Sequence, residues 1–207
     1  MRNWPMRVVN LLDMQKAKRE RAYPECRFTD RYITYNSQIS EIEAWAALPA
    51  EAYAVDVESG WALFSKTELE RIRKRNPWRL RILSSQLSMV GFARSPTDAL
   101  VIPFMTRENT QDMSYWPDSK TEVQVWKLVA RLLETDIDKI FQNGVYDMTR
   151  LAFMGLRVRR ARRDTMLYQH AYMPELPKGL GFLGSIHADE RAWKTDYEFG
   201  ENLKRDN

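Results

Sequence analysis

The sequence predicts a mixed α/β sheet covered by helices. Three extended runs with alternating apolar residues follow one another from Tyr53 across short turns. One later stretch has clear helical spacing, and shorter extended and helical runs then alternate to the end.

Residues 1–50 read as an N-terminal extension. It comprises a basic, helical stretch to Ala22, a polar segment YPECRFTDRYITYNSQ, and a short helix SEIEAWAAL in which Ser40 and Glu43 form a capping box. Residues 51–207 read as the main domain. Its first strand is YAVDVE, its second RILSSQLSMVGFA, alternating around Ile82, Leu87, Met89 and Gly91, and its third DALVIPF. Short turns such as RSPTD favour an antiparallel meander. Between the first two strands, SKTELERIRKRNPWRLR reads as a charged helical insertion ended by Pro77.

A helix over 119–134 follows from the capping box of Ser119 and Glu122, with Val125, Leu128, Val129, Leu132 and Leu133 on one face. A strand at 139–142 comes next, then a helix at 145–153 ended by Gly155 and an extended piece at 156–158. A helix starting from Asp164 as N-cap runs to Tyr172, and another covers 178–187.

At 207 residues and 44% hydrophobic, the chain holds enough apolar surface for one good core. The single cysteine, Cys26, forms no internal disulfide, and the first residues lack a signal-peptide pattern, so a reducing, cytoplasmic setting is expected. No window approaches the roughly 20 apolar residues of a bilayer span, which predicts a soluble protein without a membrane partner. Basic residues cluster in KAKRER, RIRKRNPWRLR and RVRRARR. Such clusters can neutralise the phosphates of a polyanion, or can be ordinary solvated faces. Only the last, at 157–163, lies beside candidate chemistry in the sequence.

Asp56 and Glu58 stand two apart in a strand and so project to one face, with Val55 and Val57 on the other. Two carboxylates so close repel each other, and a hard divalent cation would relieve the repulsion. Taken alone, the pair reads as an exposed strand face. In FQNGVYDMTRL, a β-rich tetrad runs into Asn143 and Gly144, and Asp147 falls in the first turn of the helix that follows. That places a carboxylate where ligands of open α/β sheets gather, although a turn and a dipole-favoured acid would look the same. Asp164 is most simply a cap, and His170 and His187 lack ligand spacing.

D-x-E at Asp56 and Glu58, N-x-x-Y-D from Asn143 to Asp147, and DTML followed by PELPKGLGFLGSIHADERAWK resemble the ribonuclease-H-like DEDD 3′→5′ exonucleases in order and spacing. The resemblance is strongest to the proofreading exonuclease domain of phage-type family A DNA polymerases. It implies a ribonuclease-H-like mixed sheet and two-metal phosphodiester hydrolysis at DNA 3′ ends, with Mg²⁺ or Mn²⁺, in replication or repair within a bacterial or phage-infected cell. By position, Asp56 would bridge both metals, Glu58 would bind the nucleophile-side ion and Asp147 the other. Asn143 and Gly144 would shape the floor near the terminal nucleotide, and Arg160 and Arg163 would touch the strand backbone. The family's fourth carboxylate, in a Y-x-x-x-D or H-x-x-x-x-D motif, has no counterpart here. Glu201, in a Y-x-x-x-E run from Tyr197, and Asp196 are the nearest candidates. The resemblance therefore implies a domain truncated before its last catalytic motif: a natural fragment, a domain whose last helix comes from a DNA polymerase or another polypeptide, or a divergent enzyme that uses a tail carboxylate. Over a short stretch, RNWPMRVVNLLDMQKAKRE also resembles the closing segment of phage-type uracil-DNA glycosylase-like domains, as a remnant upstream domain would. The competing reading is a catalytically weak nucleic-acid-binding or polymerase-accessory module with the same fold.

Overall fold

A computed structural model describes residues 29–32, 39–95, 98–109 and 112–187. The expected basic helix before Ala22, Cys26, and the carboxylates Asp196 and Glu201 lie outside the described residues. The chain divides into two compact units that meet in sequence between Thr165 and Met166.

The first unit is built on a six-stranded sheet of β1 (Thr29–Tyr32), β2 (Ala52–Ser59), β3 (Leu87–Ser95), β4 (Asp98–Pro103), β5 (Asp138–Phe141) and β6 (Ala161–Asp164), in the order β1-β4-β3-β2-β5-β6. Strands β2, β3 and β4 form the predicted antiparallel meander. Strand β5 joins β2 in parallel, and β6 joins β5 in parallel. This is the ribonuclease-H-like mixed sheet, extended at its far edge by β1, which runs parallel to β4. Strand β1, with α1 (Ile39–Ala46), comes from the segment before residue 51, where the polar sequence predicted no strand.

Strict alternation along β2 buries Tyr53, Val55 and Val57 and exposes Asp56 and Glu58. In register with them, Val90 and Phe92 of β3 and Leu100 and Ile102 of β4 line the same buried face. Ile42 and Trp45 of α1 join this core, as do Val125, Leu128, Val129, Leu132 and Leu133 of a long helix, Ser119–Glu134. All five of the predicted helix-face residues are buried. The cap differs, because Asp118, not Ser119, accepts the N–H of Thr121 at 2.9 Å. Ser40 likewise lies within the first turn of α1 rather than ahead of it.

The connection between β2 and β3 departs most from expectation. A short 3₁₀ turn, Gly60–Leu63, leads into α2 (Lys66–Arg75) and then α3 (Pro77–Ser85). Pro77 opens a helix instead of only ending one. It occupies the first helical turn, where its missing N–H costs nothing, and Asn76 accepts the N–H of Arg79 at 3.1 Å. Ile82, read as strand, is therefore helical, and β3 begins at Leu87. A capping box starts α2: Ser65 Oγ accepts the Glu68 N–H while Glu68 accepts the Ser65 N–H.

The long helix, numbered α4 in chain order, turns into β5 through a buried lysine. Lys139 is fully buried, and its ammonium donates to the Thr135 carbonyl, the Thr135 hydroxyl and the Ile137 carbonyl at 2.8–2.9 Å. Burial, then the nearby Arg159 and Arg160, push its pKa down to about 8. After β5 comes α5 (Gly144–Phe153), ended by Gly155 at φ +75°. The predicted extended piece at 156–158 is not a strand; β6 forms a few residues later, at Ala161–Asp164.

The second unit is described by α6, which begins at the junction (Thr165–Tyr172), and α7 (Leu180–His187). His187 shares a hydrogen bond with the buried Gln169 at 2.9 Å, and His170 is exposed. No described helix is long and apolar enough to cross a membrane.

Candidate active site

The site arises where the sheet comes apart. Strands β2 and β5 pair only from Ala52 to Ala54, against Asp138 to Ile140. Beyond that point the next exposed side chains of β2 are Asp56 and Glu58, and the chain leaving β5 turns into α5. Such a parting at the carboxyl ends of parallel strands is where ligands of α/β sheets bind.

Asp147, in the first turn of α5, reaches into this gap. Its Oδ1 accepts the N–H of Val57, the residue between Asp56 and Glu58, at 3.1 Å. The residue is only 3% exposed. Burial raises its pKa to about 6, with the negative charges of Asp56 and Glu58 adding to the rise and the Val57 amide opposing it. Opposite Asp56, across the antiparallel ladder, stands Gly91, so the β3 residue directly facing that carboxylate carries no side chain.

The start of α5 is held by a residue whose role the sequence did not disclose. Asp164, at the end of β6, accepts the N–H of Gly144 at 2.8 Å and that of Asn143 at 3.2 Å. These are N–H groups at a helix start, and the carboxylate complements the dipole there. Asp164 thus serves α5, twenty residues back in sequence, a role beyond the cap of its own helix that its position suggested. Thr165 adds hydrogen bonds from its hydroxyl to the Phe141 carbonyl and to the Gln142 side chain. Asn143 takes the left-handed conformation, φ 60° and ψ 47°, which asparagine tolerates better than most residues. Gly144 permits a close approach: a Cβ there would lie 2.6 Å from Phe141 Cβ.

The structure therefore brings together Asp56, Glu58, Asp147, Asn143 and Gly144. Arg160 and Arg163 are engaged with Asp138. Arg160 Nε donates to Asp138 Oδ1 at 2.7 Å, and Arg163 lies 3.3 Å from Asp138 Oδ2. Asp138 sits beside Ala52, four residues before Asp56 in β2, or roughly 13 Å along the strand at about 3.3 Å per residue. The basic run joined to the end of β2 is that of α2 and α3. Gly60 donates its N–H to the Gln86 carbonyl at 3.0 Å, and Ser88 Oγ bonds the Glu58 carbonyl at 3.1 Å. Both ends of that helical pair thus stand at the end of β2.

The donors are all carboxylate oxygens, which suits a hard divalent cation. Asp147 turns one oxygen to the Val57 amide, and among the described residues no three His, Cys, Asp or Glu side chains close into a ready metal cage. The fit is that of a donor pair on β2 with a third carboxylate beside it.

No protein-family model matches the sequence, and no curated protein matches it. Among solved structures, one described as the apo form of a nuclease is similar over 78% of this chain and 62% of its own, at 16% identity and a TM-score of 0.47. The Brucella melitensis NrnC structure with bound Mg²⁺ is similar over 79% of this chain and 62% of its own, at 18% identity and a TM-score of 0.42. The chain spans less than two thirds of either of these structures.

Proposed function

We propose that the chain is a metal-dependent 3′→5′ exonuclease that removes nucleotides from single-stranded DNA ends. One observation carries the reading: the hydrogen bond from Val57 N–H to Asp147 Oδ1, which joins a third carboxylate to the D-x-E pair across two different elements. Asp56 and Glu58 would hold the Mg²⁺ or Mn²⁺ ions, with Asp147 joining directly or through water. Two such ions, when bound, supply an activated water and stabilise the leaving oxygen. The protein's part is rigidity. The β2–β3 ladder fixes the D-x-E pair, Asp164 fixes the turn ahead of Asp147, and Asn143 and Gly144 floor the place for a terminal nucleotide. Asp196 or Glu201, or a helix from a partner polypeptide such as a polymerase, would complete the donor set.

The test is incubation with end-labelled single-stranded DNA and, separately, RNA, in Mg²⁺ or Mn²⁺. Stepwise shortening from the 3′ end that disappears in Asp56→Ala is expected. Binding without shortening at any metal concentration would favour the second reading, a nucleic-acid-binding module with the same fold. The lack of a closed three-ligand cage among the described residues is the observation on that side.

A further inference from the structure

Neighbouring antiparallel strands can be joined by a two-residue turn. Here β2 and β3 are joined by the whole stretch from Gly60 to Gln86, and that stretch is distinctive in charge. Its two helices carry seven basic residues, from Lys66 to Arg81, against Glu68 and Glu70, an excess of five where the whole chain has a formal net charge of +4. All seven bases are exposed, and none forms an ion pair with another described residue. Glu68 is already engaged by Ser65 and by Arg107, 2.7 Å away, which weakens its hold on the patch.

Folding by itself explains only part of this. Basic residues in the last turn of α2 complement its dipole. Arg79, however, lies in the first turn of α3, where the dipole disfavours a cation and no acid is present. One residue earlier, Trp78 is 71% exposed, with the Arg81 guanidinium 5.8 Å from its ring. A stacking face flanked by guanidinium groups is the arrangement by which proteins hold single strands regardless of sequence. The patch is also anchored at the candidate site. Trp61, three residues past Glu58, donates its indole N–H to the Leu80 carbonyl at 2.8 Å. Gly60 lets α3 approach closely, since a Cβ there would lie 2.9 Å from the Leu83 carbonyl.

We propose that the α2–α3 hairpin is the platform that grips the single strand behind its 3′ end, with a base stacked on Trp78 and phosphates on Arg79 and Arg81. The inference deepens the exonuclease reading and rests on it for the polarity of the strand. Arg71 and Arg75, one turn apart on α2, extend the same basic surface.

The experiment is fluorescence anisotropy of a dye-labelled oligothymidylate with the full chain in EDTA, over a series of salt concentrations. Arg79→Ala with Arg81→Ala should flatten the salt dependence by about 1.4 in log–log slope, at about 0.7 for each phosphate no longer neutralised. Trp78→Ala should weaken binding about 5- to 150-fold with the slope unchanged, as removal of one stacked base does. Arg160→Ala with Arg163→Ala should change neither. Wild-type affinity and slope in the hairpin variants would overturn the proposal, as would equal competition by polyglutamate, which carries charge but no base. Circular dichroism of the variants, those of the hairpin all at exposed positions, checks that the helices remain. Binding in EDTA needs no hydrolysis, so the two readings fail separately. A chain that binds through the hairpin but never shortens DNA loses the exonuclease reading alone. A chain that shortens DNA while its hairpin variants bind like wild type loses the platform alone.

Discussion

Replacing Asp147 by Asn should stabilise the metal-free protein while abolishing nuclease activity. The carboxyl's ordinary pKa of 3.8 rises to about 6 in the folded state, mainly through burial and then through Asp56 and Glu58. This is the reverse of the usual aspartate. Below pH 3.8 both states hold the proton and no penalty exists. Between 3.8 and 6 the unfolded chain ionises while the folded one does not, so stability falls as pH rises; above 6 the full penalty is present. Two pH units at 1.36 kcal/mol each set a ceiling of about 3 kcal/mol, and screening by water at the open strand ends lowers the expectation to about 2 kcal/mol. Asparagine removes the charge yet keeps an oxygen to accept the Val57 N–H. Urea unfolding in EDTA should therefore show Asp147→Asn more stable than wild type by about 2 kcal/mol at pH 8, or about 4 to 8 °C in Tm, with the two converging at pH 4. A variant less stable than wild type at pH 8, or a difference that does not vary with pH, would refute the argument.

Mg²⁺ should raise the Tm of the wild type at pH 8 more than at pH 5, because Asp147, with its pKa raised to about 6, is ionised only at the higher pH, and Asp56→Ala should lose most of that gain. Asp164→Ala leaves the N–H groups of Asn143 and Gly144 without their acceptor, so a cost of about 1 to 2 kcal/mol in urea melts is expected, with a fall in nuclease rate that Asp164→Asn partly restores. Gly144→Ala forces a Cβ against Phe141 and should cost about 1 to 3 kcal/mol, measured the same way. Lys139→Ala strips the donor from two carbonyls and a hydroxyl in a closed turn; a loss of at least about 2 kcal/mol is expected, and a neutral result would show that water reaches them.

The meander was legible in the sequence because a half-buried strand writes its two faces in alternate letters, as Tyr53 to Ser59 do. The long helix was legible for the same reason at a different period. Ile82 was misread because Leu80, Ile82 and Leu83 fit either period, and the deciding signals, Asn76 before Pro77 and the Ser65–Glu68 box, are helix-start signals. Strand β1 carries no alternation to read, since TDRY gains its structure from the edge of β4. At the site, the D-x-E pair and the acid after β5 could be named because strand and helix ends fix where they point. The pairing of Arg160 and Arg163 with Asp138 could not, since that depends on register. Asp138 and its arginines align with the beginning of β2, and Gln86 with its end. The bonds of Asp164 to Asn143 and Gly144 were hidden likewise, because a contact made across strands has no sequence spacing.

The helical pair between β2 and β3 enters and leaves the sheet at adjacent points, with Ser59 paired to Leu87 and Gly60 bonded to Gln86. Topologically it is a module plugged into a hairpin. A two-residue Asn-Gly turn in its place would close the meander without altering the register of any other strand, and would shorten the loop that must close before β2 finds β3. The excised protein would be a smaller sheet with its carboxylates intact, folding faster, and without the seven bases of the helical pair.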